Sequence, residues 1–190
     1  MGRKPAITKE MLTAEGLQIL REFGPLYLTA SFVGERLNCS TQPIKYYFKT
    51  IEEYRAQVYY EAYLFFKDTI EAWINDGSIG NAAYCYVLFA HKESNVYNYI
   101  FTNTKFIDKG VFQLTTTYSV RWFMDKVLED FSLKAGEEEW CYAHVFYFLH
   151  GLSKYISENP AYPFVEEEIK ETINQHLAGI NLAFNINREN

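Results

Sequence analysis

The chain has 190 residues, a formal net charge of −6 and an aromatic share of 18%, with 16 Tyr and 15 Phe. A chain of this length buries about 70% of its unfolded surface, so folding requires neither a disulfide staple nor a metal. Cys39, Cys85 and Cys141 are odd in number and far apart, which excludes a disulfide framework and metal-ligand spacing and fits a reducing compartment.

MGRKPAITKE at the start lacks the apolar run of a signal peptide, and the longest apolar run, Ala82 to Ala90, is too short to span a bilayer. A cytoplasmic protein without membrane association is expected. Charge is unevenly placed. Residues 1–60 carry eight basic and six acidic groups, net +2, and the remainder ten basic and eighteen acidic, net −8. A basic head and an acidic body imply two different jobs, and the head is where a polyanion would bind.

From Thr8 to Phe23, apolar residues at Met11, Ala14, Leu17, Leu20 and Phe23 mark one face of a helix. Thr8 caps its start, and Gly24-Pro25 ends it, the glycine in a left-handed conformation. Thr29 then caps a short second helix with Phe32, Val33 and Leu37 inward. Gly34 within it predicts the close approach of a crossing helix. Asn38 suits a left-handed turn, and Cys39 a small plug beneath it. Ser40 caps a third helix with Pro43 in its first turn, where the missing N–H does no harm.

Thr50 with Glu53 forms a capping box that opens a long fourth helix. Its apolar positions are Ile51, Tyr54, Val58, Ala62, Phe65 and Trp73, and it ends near Asn75-Asp76-Gly77. Further helices are read over residues 81–91, 93–101 and 111–131. The run AYCYVLF (83–89) has the composition of a buried strand, but nothing nearby supplies partner strands, so it is read as helix. Two long amphipathic helices, over residues 137–157 and 165–184, flank Pro160 and Pro163 and predict an antiparallel hairpin. The expected class is all-α, with about nine helices in two domains, 1–50 and 51–190.

Residues 8 to about 55 resemble the DNA-binding domain of the tetracycline-repressor (TetR) family of bacterial transcriptional regulators. The resemblance runs through Phe23-Gly24, Leu28-Thr29, Val33-Gly34-Glu35-Arg36-Leu37, Cys39-Ser40, Ile44, Tyr47-Phe48-Lys49 and Glu52-Glu53-Tyr54. A weaker likeness to the regulatory half of one branch lies in His150-Gly151-Leu152 and the last helix. The chain departs from the family at Gln42-Pro43, at Ile44-Lys45 in place of a Leu-Tyr pair, and at Ile51 where a basic residue is common. These departures bear on operator sequence and phosphate contacts rather than on fold. The resemblance implies a helix-turn-helix repressor that binds a palindromic operator as a homodimer and is released by a small-molecule effector.

The residues themselves suggest the roles. In the third helix Ile44 and Phe48 point to the core, leaving Thr41, Gln42, Lys45 and Tyr46 outward, with Ser40 and Pro43 at its start. Gln pairs with an adenine edge, and Thr with base edges or a thymine methyl. Lys45, Lys49 and the Tyr46 and Tyr47 hydroxyls suit phosphates, which position without specifying; the tyrosines alternatively pack against the first helix. Thr29 offers a hydroxyl and backbone N–H to a phosphate, and Arg3 and Lys4 form a basic arm.

Tyr84, Tyr86, Phe89, Tyr97, Phe101, Phe112, Tyr118, Trp122, Trp140, His144 and Phe148 line a pocket for a hydrophobic or aromatic effector, or else are core. Leu152, Ile156, Ile169, Ile173, Leu177, Ile180 and Phe184 form a stripe that packs on a second copy, or else closes an internal core. No Gly-rich phosphate loop, metal spacing or catalytic triad is recognisable, and Cys141 and His144, three apart, do not complete a metal site. No enzyme activity, metal or cofactor is expected. The competing reading is a regulator-like protein that has lost DNA binding and acts through a protein partner.

Overall fold

The computed structural model describes residues 7–102, 121–129, 131, 133 and 136–186. The chain is all-α, and the described residues contain no strand. In order, the α-helices of the described residues are α1 (Lys9–Phe23), α2 (Ala30–Arg36), α3 (Gln42–Phe48), α4 (Ile51–Asp76), α5 (Ala82–Lys92), α6 (Ser94–Thr102), α7 (Arg121–Val127), α8 (Glu138–Glu158) and α9 (Glu166–Ile186). They group into two compact units, Met1–Phe66 with Asn95–Phe106, and Lys67–Ser94 with Ile107–Asn190. The division falls within α4, whereas the sequence boundary at 50/51 lies at that helix's start.

In the first unit, local chemistry sets the helix starts. The Thr8 hydroxyl accepts the Met11 N–H at 3.2 Å, Thr29 accepts the Phe32 N–H at 3.2 Å, and Thr50 accepts the Glu53 N–H at 3.1 Å. Only half of the expected capping box forms at α4, because the Thr50 N–H turns to the Phe48 carbonyl. Gly24 has φ 84° and ψ 177°. That is a positive-φ conformation reserved for glycine, but not the left-handed helical one expected from sequence.

The core of this unit gathers Leu12, Ile19, Leu20, Leu28, Val33, Ile44, Phe48, Tyr54, Val58, Ala62 and Phe66, all buried. Along α4 the buried stripe runs 54–58–62–66, so Phe66 takes the core position expected of Phe65. Phe65 instead receives the Arg21 guanidinium over its ring at 4.6 Å. The close helix crossing occurs at Gly16 rather than at Gly34. A Cβ on Gly16 would collide with the Tyr54 hydroxyl and sit 2.5 Å from Val58 Cγ2.

That lack of a side chain lets Tyr54 donate its hydroxyl to the Leu12 carbonyl at 3.0 Å. Helix α6 is tied to α4 by two similar bonds, Tyr59 to the Ile100 carbonyl at 3.2 Å and Tyr99 to the Arg55 carbonyl at 3.0 Å. Burial pushes both phenols up to about 12.

In the second unit α5 is the central element. Every residue from Ala82 to Ala90 is buried, with α7, α8 and α9 packed against it. A helix covered on all sides has no polar face, which is why its sequence reads like a buried strand. Asn81 caps it by accepting the Tyr84 N–H at 2.9 Å, and its amide also donates to Asn174 at 3.2 Å. Helices α8 and α9 form the expected hairpin. Phe148 stacks on His176 at 4.2 Å and His144 meets Phe184 at 5.9 Å, so rising numbers on α8 meet falling numbers on α9. Their connection returns Phe164 onto the His91 ring at 4.2 Å.

Candidate nucleic-acid interface

The geometry of α2, its following turn and α3 follows from three residues. Asn38 takes φ 49°, the left-handed position at which the chain reverses. Cys39 donates its backbone N–H to the Gly34 carbonyl at 2.8 Å. A Cβ on Gly34 would lie 2.9 Å from the Cys39 carbonyl oxygen and 3.4 Å from that of Ser40. The glycine is therefore needed by the turn that folds back on α2, and not by a crossing helix as expected. Cys39 is half-exposed rather than a sealed plug.

The third helix begins at Gln42, one residue later than the expected Ser40 cap implies. Thr41 already has helical angles and makes no side-chain cap, while Ser40 accepts the Gln42 N–H at a long 3.4 Å. Pro43 occupies the first turn as expected. Only Ile44 and Phe48 of α3 are buried, and their four-residue spacing turns one edge of the helix inward. Gln42, Lys45, Tyr46 and Lys49 lie on the exposed side, Tyr46 at 79% exposure, and Thr41 and Pro43 are half-buried. Residues 37–51 contain two lysines and no carboxylate.

An ion-pair clamp fixes this arrangement on α1. Arg36 Nε donates to Glu15 at 2.6 Å and Arg36 Nη1 to Glu22 at 3.0 Å, with the guanidinium also over the Phe23 ring at 5.6 Å. Glu15, then Glu22, hold the Arg36 pKa above its usual value. Arg55 donates to the Leu28 carbonyl at 2.9 Å. Arg36 and Arg55 are thus engaged internally, Arg21 and Lys9 lie over the Phe65 and Phe48 rings, and the acidic Glu15 and Glu22 are engaged with Arg36. The sequence reading missed this clamp; its one signal was that Glu15 and Glu22, seven apart, share a face of α1.

The other expected contacts divide clearly. The Tyr47 hydroxyl donates to the Ile7 carbonyl at 3.2 Å, realising for Tyr47 the alternative of packing near the first helix. Thr29 spends its hydroxyl on the cap of α2. Arg3 and Lys4 lie outside the described residues.

The expected effector-pocket residues are divided between the two units. Tyr97 and Phe101 are buried in the first unit, while Tyr84, Tyr86 and Phe89 are buried in the second. Trp122 and Phe148 are half-buried, and Phe112 and Tyr118 lie outside the described residues. Trp140 and His144 instead line a groove of about 690 Å³ between α8 and α9, with Gln175, His176, Ile180 and Phe184. A second groove, about 400 Å³, takes in Tyr84, His91, Lys92, Phe164 and Glu166. Of the stripe expected to meet a second copy, Ile156, Ile169 and Ile173 are buried within the chain, so their apolar surface is already spent in its own core. Leu152, Leu177, Ile180 and Phe184 remain half-exposed.

Among the described residues, no helix is long and apolar enough to cross a membrane, and no group of three or more His, Cys, Asp or Glu is placed to hold a metal ion. Comparison with protein-family models, curated proteins and solved structures gives no match to this chain.

Proposed function

We propose that the protein is a DNA-binding transcriptional regulator, a repressor of the kind the sequence resembles, that binds a palindromic operator as a homodimer. One observation carries the reading. Helix α3 buries only Ile44 and Phe48 and, with the Lys49 that follows it, presents Gln42, Lys45, Tyr46 and Lys49 to solvent, on a stretch free of carboxylates. A helix of this diameter fits the major groove, about 12 Å wide, where a Gln amide reads an adenine edge. Lys45 and Lys49 neutralise phosphates and Tyr46 adds a hydroxyl. The Arg36 clamp supports the reading further, since it ties α2 to α1 and removes two carboxylates from competition with DNA.

Release is assigned to a small hydrophobic or aromatic effector that binds one arrangement of the heads more tightly than another. The half-exposed Leu152, Leu177, Ile180 and Phe184 support an isologous contact between copies.

Fluorescence anisotropy with DNA from upstream of the protein's own gene tests the proposal. Specific binding that weakens steeply with salt is expected, as counterions return to freed phosphates. Gln42→Ala should change sequence preference, and Lys45→Ala should weaken binding to every sequence about equally. If neither substitution changes binding, the recognition surface is misplaced. Absence of specific binding to that or neighbouring promoters would favour the protein-partner reading.

A further inference from the structure

The groove of about 400 Å³ lies wholly within the second unit. Its walls come from the link between α4 and α5, from α5 itself, and from the residues where the α8–α9 connection enters α9. Ile79, Leu88 and Phe164 supply the apolar lining. The Phe164 ring lies parallel to that of His91, with centroids 4.2 Å apart and planes 11° apart, and 6.3 Å from the Tyr84 ring.

The polar lining is unequally committed. Glu166 takes the Lys170 ammonium at 2.5 Å and a hydrogen bond from the Tyr84 hydroxyl, so its charge is already answered within the chain. Ser78 donates to Asp76 at 2.9 Å. Lys92 is different. Its ammonium rests over the Trp73 ring at 5.7 Å and acts on Glu166 only through space, and no carboxylate pairs with it among the described residues. The ring nitrogens of His91, the preceding residue, likewise have no hydrogen bond among the described residues. The groove therefore combines one uncompensated cation and one open imidazole with an apolar floor.

That combination selects for a ligand with a negative head and a flat apolar body. A carboxylate on an ammonium makes a charge-assisted bond, about twice as strong as a neutral one. An aromatic ring gains further by offset contact with a ring already held in place, as Phe164 is by His91. The volume falls within the range of about 300–1,000 Å³ usual for small-molecule sites.

We propose that this groove binds a small aromatic carboxylic acid as its anion, with the carboxylate on Lys92 and His91 and the ring on Phe164, Leu88 and Ile79. This acid is the effector assigned above, so its action on DNA rests on the regulator reading, whereas its binding to the groove does not.

Calorimetric titration of the full chain with 2-naphthoate, and with the smaller benzoate, tests the site without DNA. One acid per chain is expected. The uncharged 2-naphthamide should bind about tenfold more weakly or worse, and Lys92→Gln and Phe164→Ala should each weaken the acid by a similar factor. Lys92→Arg should retain binding, and Lys126→Gln, on α7, should leave it unchanged. Lys92 is exposed, so circular dichroism should show its variants folded like the parent. Failure of both acids to bind at millimolar concentration, an amide as tight as the acid, or undiminished binding by Lys92→Gln would overturn the site. So would loss on Trp140→Ala in place of Lys92→Gln, which would put the acid in the groove between α8 and α9. On DNA that the parent binds specifically, saturating acid should lower the affinity of the parent and not that of Lys92→Gln. Acid binding with no effect on DNA affinity would overturn the effector role. A chain that binds the acid and no DNA would overturn the regulator reading and leave the site standing.

Discussion

At the scale of single residues, two glycines show why a residue type legible in the sequence does not disclose its cause. Gly34 invites the reading of a helix crossing, yet what it accommodates is the carbonyl of Cys39 in its own turn. The crossing is at Gly16, where nothing but the later position of Tyr54 and Val58 could have revealed it. Gly34→Ala should therefore damage the turn itself. The obstruction is backbone at 2.9 Å, which cannot swing aside as a side chain can, so a loss of about 1–3 kcal/mol is expected. Urea unfolding checks it through a lowered midpoint at unchanged slope. An unchanged midpoint would show that the turn relaxes freely and does not fix the direction of α3. Likewise, Arg36 counts as an available positive charge in the sequence, but its partners Glu15 and Glu22 engage it.

At the scale of elements, the starts of helices were well encoded, because capping is a local transaction between a side chain and an N–H two or three residues away. Thr8, Thr29 and Thr50 all cap as their spacing implies. Helix α3 differs because Thr41 enters helical angles without capping, leaving the hydroxyl of Ser40 on the Gln42 N–H at 3.4 Å. Which face a helix buries was also legible; what covers that face was not. Periodicity marks Ile169, Ile173, Leu177 and Ile180 as one stripe, and the chain itself covers only the first two fully. The aromatic residues of 84–148 show the same limit, since size and apolarity are shared by core and pocket. Asn81 offers a test of an element's start in which capping and packing combine. Its oxygen caps α5 and its amide reaches Asn174 on α9. Asn81→Ala should cost about 1–2 kcal/mol, at or above the usual loss for an N-cap. Asn81→Asp keeps the cap but loses the amide donor, so a thermal midpoint between those of parent and alanine variant is expected. Equal midpoints for the two variants would mean that the cap contributes little.

At the scale of the whole molecule, the proposed regulator depends on being two. A single α3 with the Lys49 that follows it offers two lysines and a glutamine, too few contacts to select one site among many, and twofold pairing doubles them on half-sites about 34–36 Å apart or multiples of that. The surface proposed for pairing is the part of α8 and α9 that the chain does not cover itself. Buried Ile156, Ile169 and Ile173 are unsuitable for mutation, since charging them would unfold the second unit. Leu177 is half-exposed on α9 one turn beyond Ile173, and a charge there can stay solvated in a monomer while being forced into an apolar contact in a dimer. Leu177→Glu should therefore give a folded monomer, seen as a halved mass by light scattering with the parent's circular dichroism. Its DNA binding should fall as well, and in a diagnostic way. The slope of log affinity against log salt counts phosphate contacts, so a monomer holding one half-site should show about half the parent's slope. A dimer of unchanged mass would move the interface elsewhere. A monomer with the parent's affinity and slope would show that one head suffices, and that pairing has a purpose other than operator recognition.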